Sequence, residues 1–463
     1  MSSSCSSSAF VSTNEIRHRF SSAMSEMYRL EVPQYGTLVD LVADINAQVL
    51  QEDAALRAAM QEAGEIERLG VERHGAIRVG TAAELSTMRR LFAVMGMEPV
   101  GYYDLSVAGV PVHSTAFRPV SDEALLANPF RVFTSLLRLE LIADPELRAK
   151  AQAILAKRNI FTEGALALIA QFESAGGLTS EQADEFVRQA LETFRWHSEA
   201  TVDAETYAAL LKAHRLISDV VCFRGPHINH LTPRTLDIDA AQQAMPQRGI
   251  AAKDVVEGPP RRACPILLRQ TSFKALEEKI RFADDTGAGA HTARFGEIEQ
   301  RGVALTRKGR ALYDTLLAKV RSMDSAGSAA PDYEARLVAA FGDFPDTHDA
   351  LRREGLAFYR YSLTPQGEAK RGQLGAPAEA DLDALISQGL VRADAIIYED
   401  FLPVSAAGIF QSNLGGQEQK QYEANAAQQA FEADLGASVH DEIALYADAQ
   451  QRSIEQVLAQ LKG

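Results

Sequence analysis

Cysteine is scarce in this chain: Cys5, Cys222 and Cys264 are the whole complement of 463 residues. Three thiols with no CxxC spacing rule out a disulfide framework and offer no zinc or redox motif, so a reducing, cytoplasmic setting is expected. Long apolar runs are also missing. No uninterrupted stretch is long enough to cross a bilayer, and the Ser-rich opening Met1–Ser8 lacks the apolar core of a secretory signal. Arg17 and Arg19 add a hint of transit-peptide composition, which Glu15 and Glu26 oppose, and residues 1–31 are expected to form a flexible tail. Basic residues are in deficit, 47 against 62 acidic ones, so the average surface repels phosphate backbones and anionic membranes. Neither nucleic acid nor a membrane is an expected partner.

What is present belongs to a folded, enzyme-sized protein: 46% hydrophobic and 24% charged residues, in a chain too long for one ordinary core. Leu38, Leu41, Val42, Ile45 and Val49 recur at helical spacing. A strand at Gly75–Val79, a helix at Ala82–Met95 and extended runs at Pro99–Leu105, Val110–Phe117 and Val132–Ile142 follow. Residues 145–220 read as four helical stretches. The earlier order then returns, with strands at Ile228–Thr232, Ile266–Gln270 and Ala293–Gln300 around a helix at Ala240–Met245. The expectation is an α+β protein in which two βαβββ-type modules, 32–144 and 221–330, form a curved mixed sheet. A helical insert (145–220) separates them, and a mainly helical region (331–463) follows, including Ala304–Val320 at its approach and Ala427–Leu461 at its end.

The first strands of the two modules share a pattern, His74-Gly-Ala-Ile-Arg78 and His230-Leu-Thr-Pro-Arg234, each a few residues before a helix. Alternation along a strand puts His and Arg of each copy on one face. Further on, Arg294-Phe-Gly-Glu297-Ile-Glu299-Gln-Arg301 puts two carboxylates on one face of a third strand. If the modules pack about a pseudo-twofold axis, the histidines converge and a carboxylate completes a two-His-one-carboxylate set, which leaves about three of six octahedral positions open for a chelating 2-oxo acid and dioxygen. His227 rivals His230 and Glu299 rivals Glu297. Arg78 and Arg234 can equally pair with surface carboxylates, the usual fate of an exposed arginine.

Four longer segments carry a resemblance: ERHGAIRVGT from Glu72, GPHINHLTPRTLDID from Gly225, RFGEIEQRG from Arg294 and EDFLPVSAAGIFQSNL from Glu399. From about Val32 onward the chain resembles the 2-oxoadipate dioxygenase/decarboxylase (hydroxyglutarate synthase) family. That resemblance implies a vicinal-oxygen-chelate core and iron(II), Fe(2+), held by His74, His230 and Glu297. It also implies Arg78 as a substrate contact, and Val404 and Ser405 as substrate contacts in a segment near 399–414. The implied reaction is oxidative decarboxylation and hydroxylation of 2-oxoadipate to D-2-hydroxyglutarate, with O2 consumed and CO2 released, in lysine catabolism. Two other readings stand beside it. One is an oxygen-independent, metal-dependent isomerase or lyase of the same superfamily. The other is a DNA-binding regulator, because Ala304–Tyr313 resembles the end of a winged-helix domain; the chain's acidity argues against it.

Overall fold

The computed structural model describes residues 10–253, 255–273, 275–284, 287–292, 294–322, 330–375, 377–378, 381–402 and 419–462. The described residues group into two compact units. One draws on 10–253, 271–298 and 419–439, the other on 255–270, 299–402 and 440–462.

The first unit is built on a five-stranded mixed sheet in the order β2-β3-β4-β1-β5. Its strands are β1 (Arg73–Val79), β2 (Glu98–Asp104), β3 (Val112–Arg118), β4 (Arg131–Leu137) and β5 (Leu231–Pro233). β1 runs parallel to β4 and antiparallel to β5, and β2, β3 and β4 are antiparallel neighbours. The sequence explains why the two faces differ. Ile77, Val79, Phe117, Val132 and Leu136 point to one side and join a core with Leu85, Met88 and Phe92 of the helix Ala82–Ala93 and Phe186 of the helix Ser180–Leu191. Each such side chain contributes about 1.5–3 kcal/mol on burial. The residues between them on β1, namely His74, Ala76 and Arg78, share the other face with Phe133, Ser135, Ser114 and Ala116 across the register.

Thr13–Glu31 corrects the expectation of a flexible tail: it is a 19-residue helix. Ser12 caps it by accepting from the Glu15 amide, and Ile16, Phe20, Met24, Met27 and Tyr28 form a buried stripe. Arg17 is fully buried and donates to the carbonyls of Met95, Ala124 and Asn128. Val32 ends this helix, and the next, Pro33–Glu52, begins directly after it.

The helical insert holds five helices rather than four: Pro145–Leu155, Glu163–Ala175, Ser180–Leu191, Ala204–Ala213 and Arg215–Val221. The extra break falls at His214, extended in backbone, whose Nδ1 accepts from the Leu216 amide and caps the last of them. Further along the chain, the helix Ile238–Ala244 is followed by β6 (Leu268–Ser272), β7 (Glu278–Arg281), β8 (Ala288–His291) and β9 (Glu297–Arg301). The sheet is mixed, as expected, but the described strands do not form one sheet shared by two modules. β5 alone joins the first, while β6 and β9, and β7 and β8, make separate two-stranded ladders. The run from Gly258 to Pro265 contains three prolines, which supply no N–H to extend a ladder.

The second unit contains the antiparallel pair β10 (Tyr359–Leu363) and β11 (Val391–Ala395), with the helices Arg307–Ser322 and Glu442–Leu461. Gln450 and Ser453 of the last helix accept from the amides of Tyr359 and Tyr361. The single helix expected over Ala427–Leu461 is two, Gln419–Leu435 and Glu442–Leu461. Gly436 takes a left-handed turn (φ 71°) and Asp441 caps the next start. No described helix is long and apolar enough to cross a membrane.

Candidate metal centre and carboxylate grip

β1 presents His74 and Arg78 on the polar face of the sheet, four residues apart. β5 lies beside it with Thr232 opposite His74, so His230, two residues before Thr232, reaches the same face. The strand expected at Ile228–Thr232 is shorter, Leu231–Pro233, yet the backbone keeps close to β1 because the Asn229 amide donates to the Ala76 carbonyl at 2.9 Å. That approach requires glycine at position 75. A Cβ there would lie 2.5 Å from Ile228 Cδ1 and 3.1 Å from the His230 carbonyl oxygen. Gly296, next to Glu297, is constrained in the same way: its Cβ would lie 2.0 Å from Phe273 Cε1.

The side chains converge on one carboxylate oxygen. His74 Nε2 is 3.0 Å from Glu297 Oε2, His230 Nε2 is 3.6 Å from it, and Thr232 Oγ1 donates to it at 3.1 Å. The two imidazoles stand edge to face with centroids 5.3 Å apart, and Phe295 covers His230 at 4.7 Å. One ligand atom each from His74, His230 and Glu297 lie within 4.8 Å of one another, and all three residues are buried. Two ligand atoms at right angles about 2.1 Å from one ion are about 3.0 Å apart, so this donor set fits a divalent cation.

The rival residues are engaged elsewhere. His227 Nε2 lies 3.4 Å from Asp219 Oδ1, and Glu299 receives two bonds from Arg301, at 2.8 and 2.9 Å. The two arginines of the repeated pattern also part company. Arg234 Nη1 donates to Glu65 and Glu72, both at 3.1 Å, inside a buried cluster in which Arg68 and Arg131 also bond Glu72. Burial alone would raise the Glu72 carboxyl, but Arg68, Arg234 and Arg131 together hold it well below the usual carboxylate range.

Arg78 instead turns toward the helix Arg215–Val221. Its Nη1 donates to Asp219 Oδ2 at 2.7 Å and to Asn229 Oδ1 at 2.8 Å. Asp219 is shared with His291, whose Nε2 lies 3.0 Å from Oδ1 and whose Nδ1 meets the Tyr207 hydroxyl at 2.9 Å. Burial works to raise the Asp219 carboxyl, and the nearby His227 and Arg78, with a hydrogen bond from His291, hold it well below its ordinary value.

Sequence reasoning missed Asp219, Asn229, Thr232 and Tyr28. The Tyr28 hydroxyl reaches the carbonyls of Asn229 (3.0 Å) and Phe295 (2.7 Å), tying together the segments that carry His230 and Glu297. The i, i+4 apolar spacing from Ile16 to Tyr28 was the available signal for that helix. Val404 and Ser405 lie outside the described residues.

Comparison with known proteins identifies the family. The family profile described as 2-oxoadipate dioxygenase/decarboxylase matches residues 20–413. A 2-oxoadipate dioxygenase/decarboxylase of Pseudomonas putida is 61% identical over 450 residues, 96% of this chain and 97% of the relative. One from Escherichia coli is 59% identical, covering 96% and 98%. The crystal structure of the Pseudomonas putida hydroxyglutarate synthase in complex with 2-oxoadipate superposes with a TM-score of 0.90 at 60% identity, over 97% of this chain and 99% of that one. With this coverage at this identity, the chain belongs to the 2-oxoadipate dioxygenase/decarboxylase family and is an enzyme of that kind.

Proposed function

We propose that this chain converts 2-oxoadipate to D-2-hydroxyglutarate, consuming O2 and releasing CO2, as a step of lysine catabolism. His74, His230 and Glu297 hold iron(II), and Arg78, with Val404 and Ser405, contacts the substrate. The observation that carries the reading is the meeting of one ligand atom from each of His74, His230 and Glu297 within 4.8 Å, a donor set that suits non-haem iron oxygenases. Bound there, iron(II) supplies the redox chemistry that couples loss of CO2 to reduction of O2.

The residues of the chain account for the rest. Two neutral imidazoles and one carboxylate offset only half the charge of a divalent ion, so the centre favours an anionic, chelating 2-oxo acid. Thr232 orients Glu297 through the hydrogen bond from its hydroxyl. Phe295 against His230 excludes water from one side. Arg78 grips a carboxylate with its planar fork. The atoms balance without a second organic substrate: a six-carbon 2-oxo diacid and O2 give CO2 and a five-carbon hydroxy diacid, with one oxygen in the new carboxylate and the other on the adjacent carbon. The repeated strand-helix-strand order of 73–137 and 231–301 is consistent with two vicinal-oxygen-chelate modules.

The test is anaerobic loading with iron(II) followed by 2-oxoadipate. A weak visible charge-transfer band is expected, and on admitting air, O2 uptake equal to CO2 release. Turnover that proceeds unchanged without O2 would move the chain to the isomerase or lyase class.

A further inference from the structure

We infer that Asp219 and Asn229 are positioning residues for Arg78: they fasten its Nη1 so that the remaining Nε–Nη2 edge is held ready for two-pronged binding of the substrate carboxylate. The inference rests on the reading of Arg78 as the carboxylate grip and goes beyond it by saying how the grip is aimed.

A guanidinium has three edges, and a carboxylate matches the one formed by two parallel N–H bonds. Here both protein bonds are donated by Nη1, to Asp219 Oδ2 at 2.7 Å and to Asn229 Oδ1 at 2.8 Å. Among the described residues, Nε and Nη2 bond to no protein group. The side chain as a whole is 17% exposed, so Arg78 is only partly buried.

Both acceptors are themselves held. Asn229 Nδ2 donates to the Ala76 carbonyl at 3.0 Å, which settles the amide orientation and turns Oδ1 toward Arg78. Ala76 lies midway between His74 and Arg78 on β1, and Asn229 directly precedes His230. One short stretch of backbone thus sets both the second imidazole and the acceptor for Arg78. Asp219 is braced by His291 Nε2 at 3.0 Å, and His291 in turn by Tyr207 at 2.9 Å.

A negative charge on Asp219 opposes the binding of an anion beside it, so charge is not what Asp219 contributes to substrate affinity. Its contribution is geometric, since an arginine already in its bound rotamer loses less freedom when the carboxylate arrives. This separates two substitutions. Asp219→Asn keeps an acceptor oxygen for Nη1 and removes the opposing charge, and His291 and His227 can change tautomer to accept from the new amide. Asp219→Ala removes the acceptor.

The experiment is calorimetric binding of 2-oxoadipate to iron(II)-loaded protein without O2. The set is wild type, Asp219→Asn, Asp219→Ala, Asp219→Ser as a second truncation, Arg78→Ala, and the Asp219→Ala/Arg78→Ala double variant. Metal content is measured on each. Affinity is expected to be kept or improved in Asp219→Asn and to fall about tenfold in the truncations with iron retained. The double variant is expected to bind no more weakly than Arg78→Ala alone, because a positioning residue has nothing left to position. Equal losses in Asp219→Asn and Asp219→Ala, full affinity in the truncations, or additive losses in the double variant would overturn the inference. Wild-type affinity in Arg78→Ala would instead remove the reading of Arg78 on which it stands.

Discussion

His74 and Glu297 lie 223 positions apart in the chain, yet their Nε2 and Oε2 atoms are 3.0 Å apart. The relationship joins the first strand of the sheet to β9, with His230 3.6 Å from the same oxygen. This convergence of two imidazoles on one buried carboxylate is the geometry on which the proposed metal site rests. Replacing His74, His230 or Glu297 by Ala should therefore reduce bound iron and abolish turnover, while circular dichroism stays near wild type, since a core of this size does not depend on one ion to fold. His227→Ala is the control. It should keep its iron, and loss of iron there with retention in His230→Ala would mean that the wrong histidine has been assigned.

Arg78 should behave as a substrate residue and not as a ligand. Arg78→Ala is expected to retain iron and lose on the order of 2–5 kcal/mol of binding or transition-state energy, at least about tenfold in kcat/KM. Arg78→Lys should restore only part of this, because an ammonium lacks the planar fork. Steady-state kinetics on 2-oxoadipate with iron analysis of each variant decides it, and wild-type kinetics in Arg78→Ala would reduce the residue to a structural charge.

Arg234, its counterpart in the repeated pattern, should behave differently. It is buried against Glu72 and Glu65, and removing one member of a buried ionic cluster leaves the others uncompensated. Arg234→Ala should lower folding stability by on the order of 3 kcal/mol, read by denaturant titration. A variant with unchanged stability and a raised KM would place Arg234 in the binding site instead.

Asp219 makes stability depend on acid. Its folded carboxyl is held below its ordinary value, so the unfolded chain takes up its proton at a higher pH than the folded protein does. The stabilisation is then complete above the unfolded value of about 3.9 and is lost as pH falls through the lower folded value. The difference in Tm between wild type and Asp219→Asn should be largest near neutrality and shrink toward about pH 3. A difference that stays constant across that range would show that Asp219 contributes shape without charge.

Local periodicity was enough to read most elements of the first unit. The alternation of RHGAIRV, the helix after Thr81 and the strands around Tyr103 and Phe117 follow from which side chains must face the core, and that is a property of neighbouring residues. The repeated His-x-x-x-Arg pattern likewise put forward His74, His230, Arg78 and Arg234, and two-residue alternation put forward Glu297 and Glu299 together; the preference for Glu297 and Arg78 came from the family resemblance. Long-range packing decided everything that alternation leaves open. Glu297 and Glu299 are equivalent by alternation, and only the packed chain turns one toward two histidines and occupies the other with Arg301. Arg78 and Arg234 are equivalent by pattern, and only the neighbours Asp219 and Glu72 separate them. The helix Thr13–Glu31 carried its own apolar stripe, but that Tyr28 would tie the Asn229 and Phe295 carbonyls together depended on contacts across more than 200 residues. Sequence order carries no distance between such groups; burial of the stripe and pairing of every polar group inside it do.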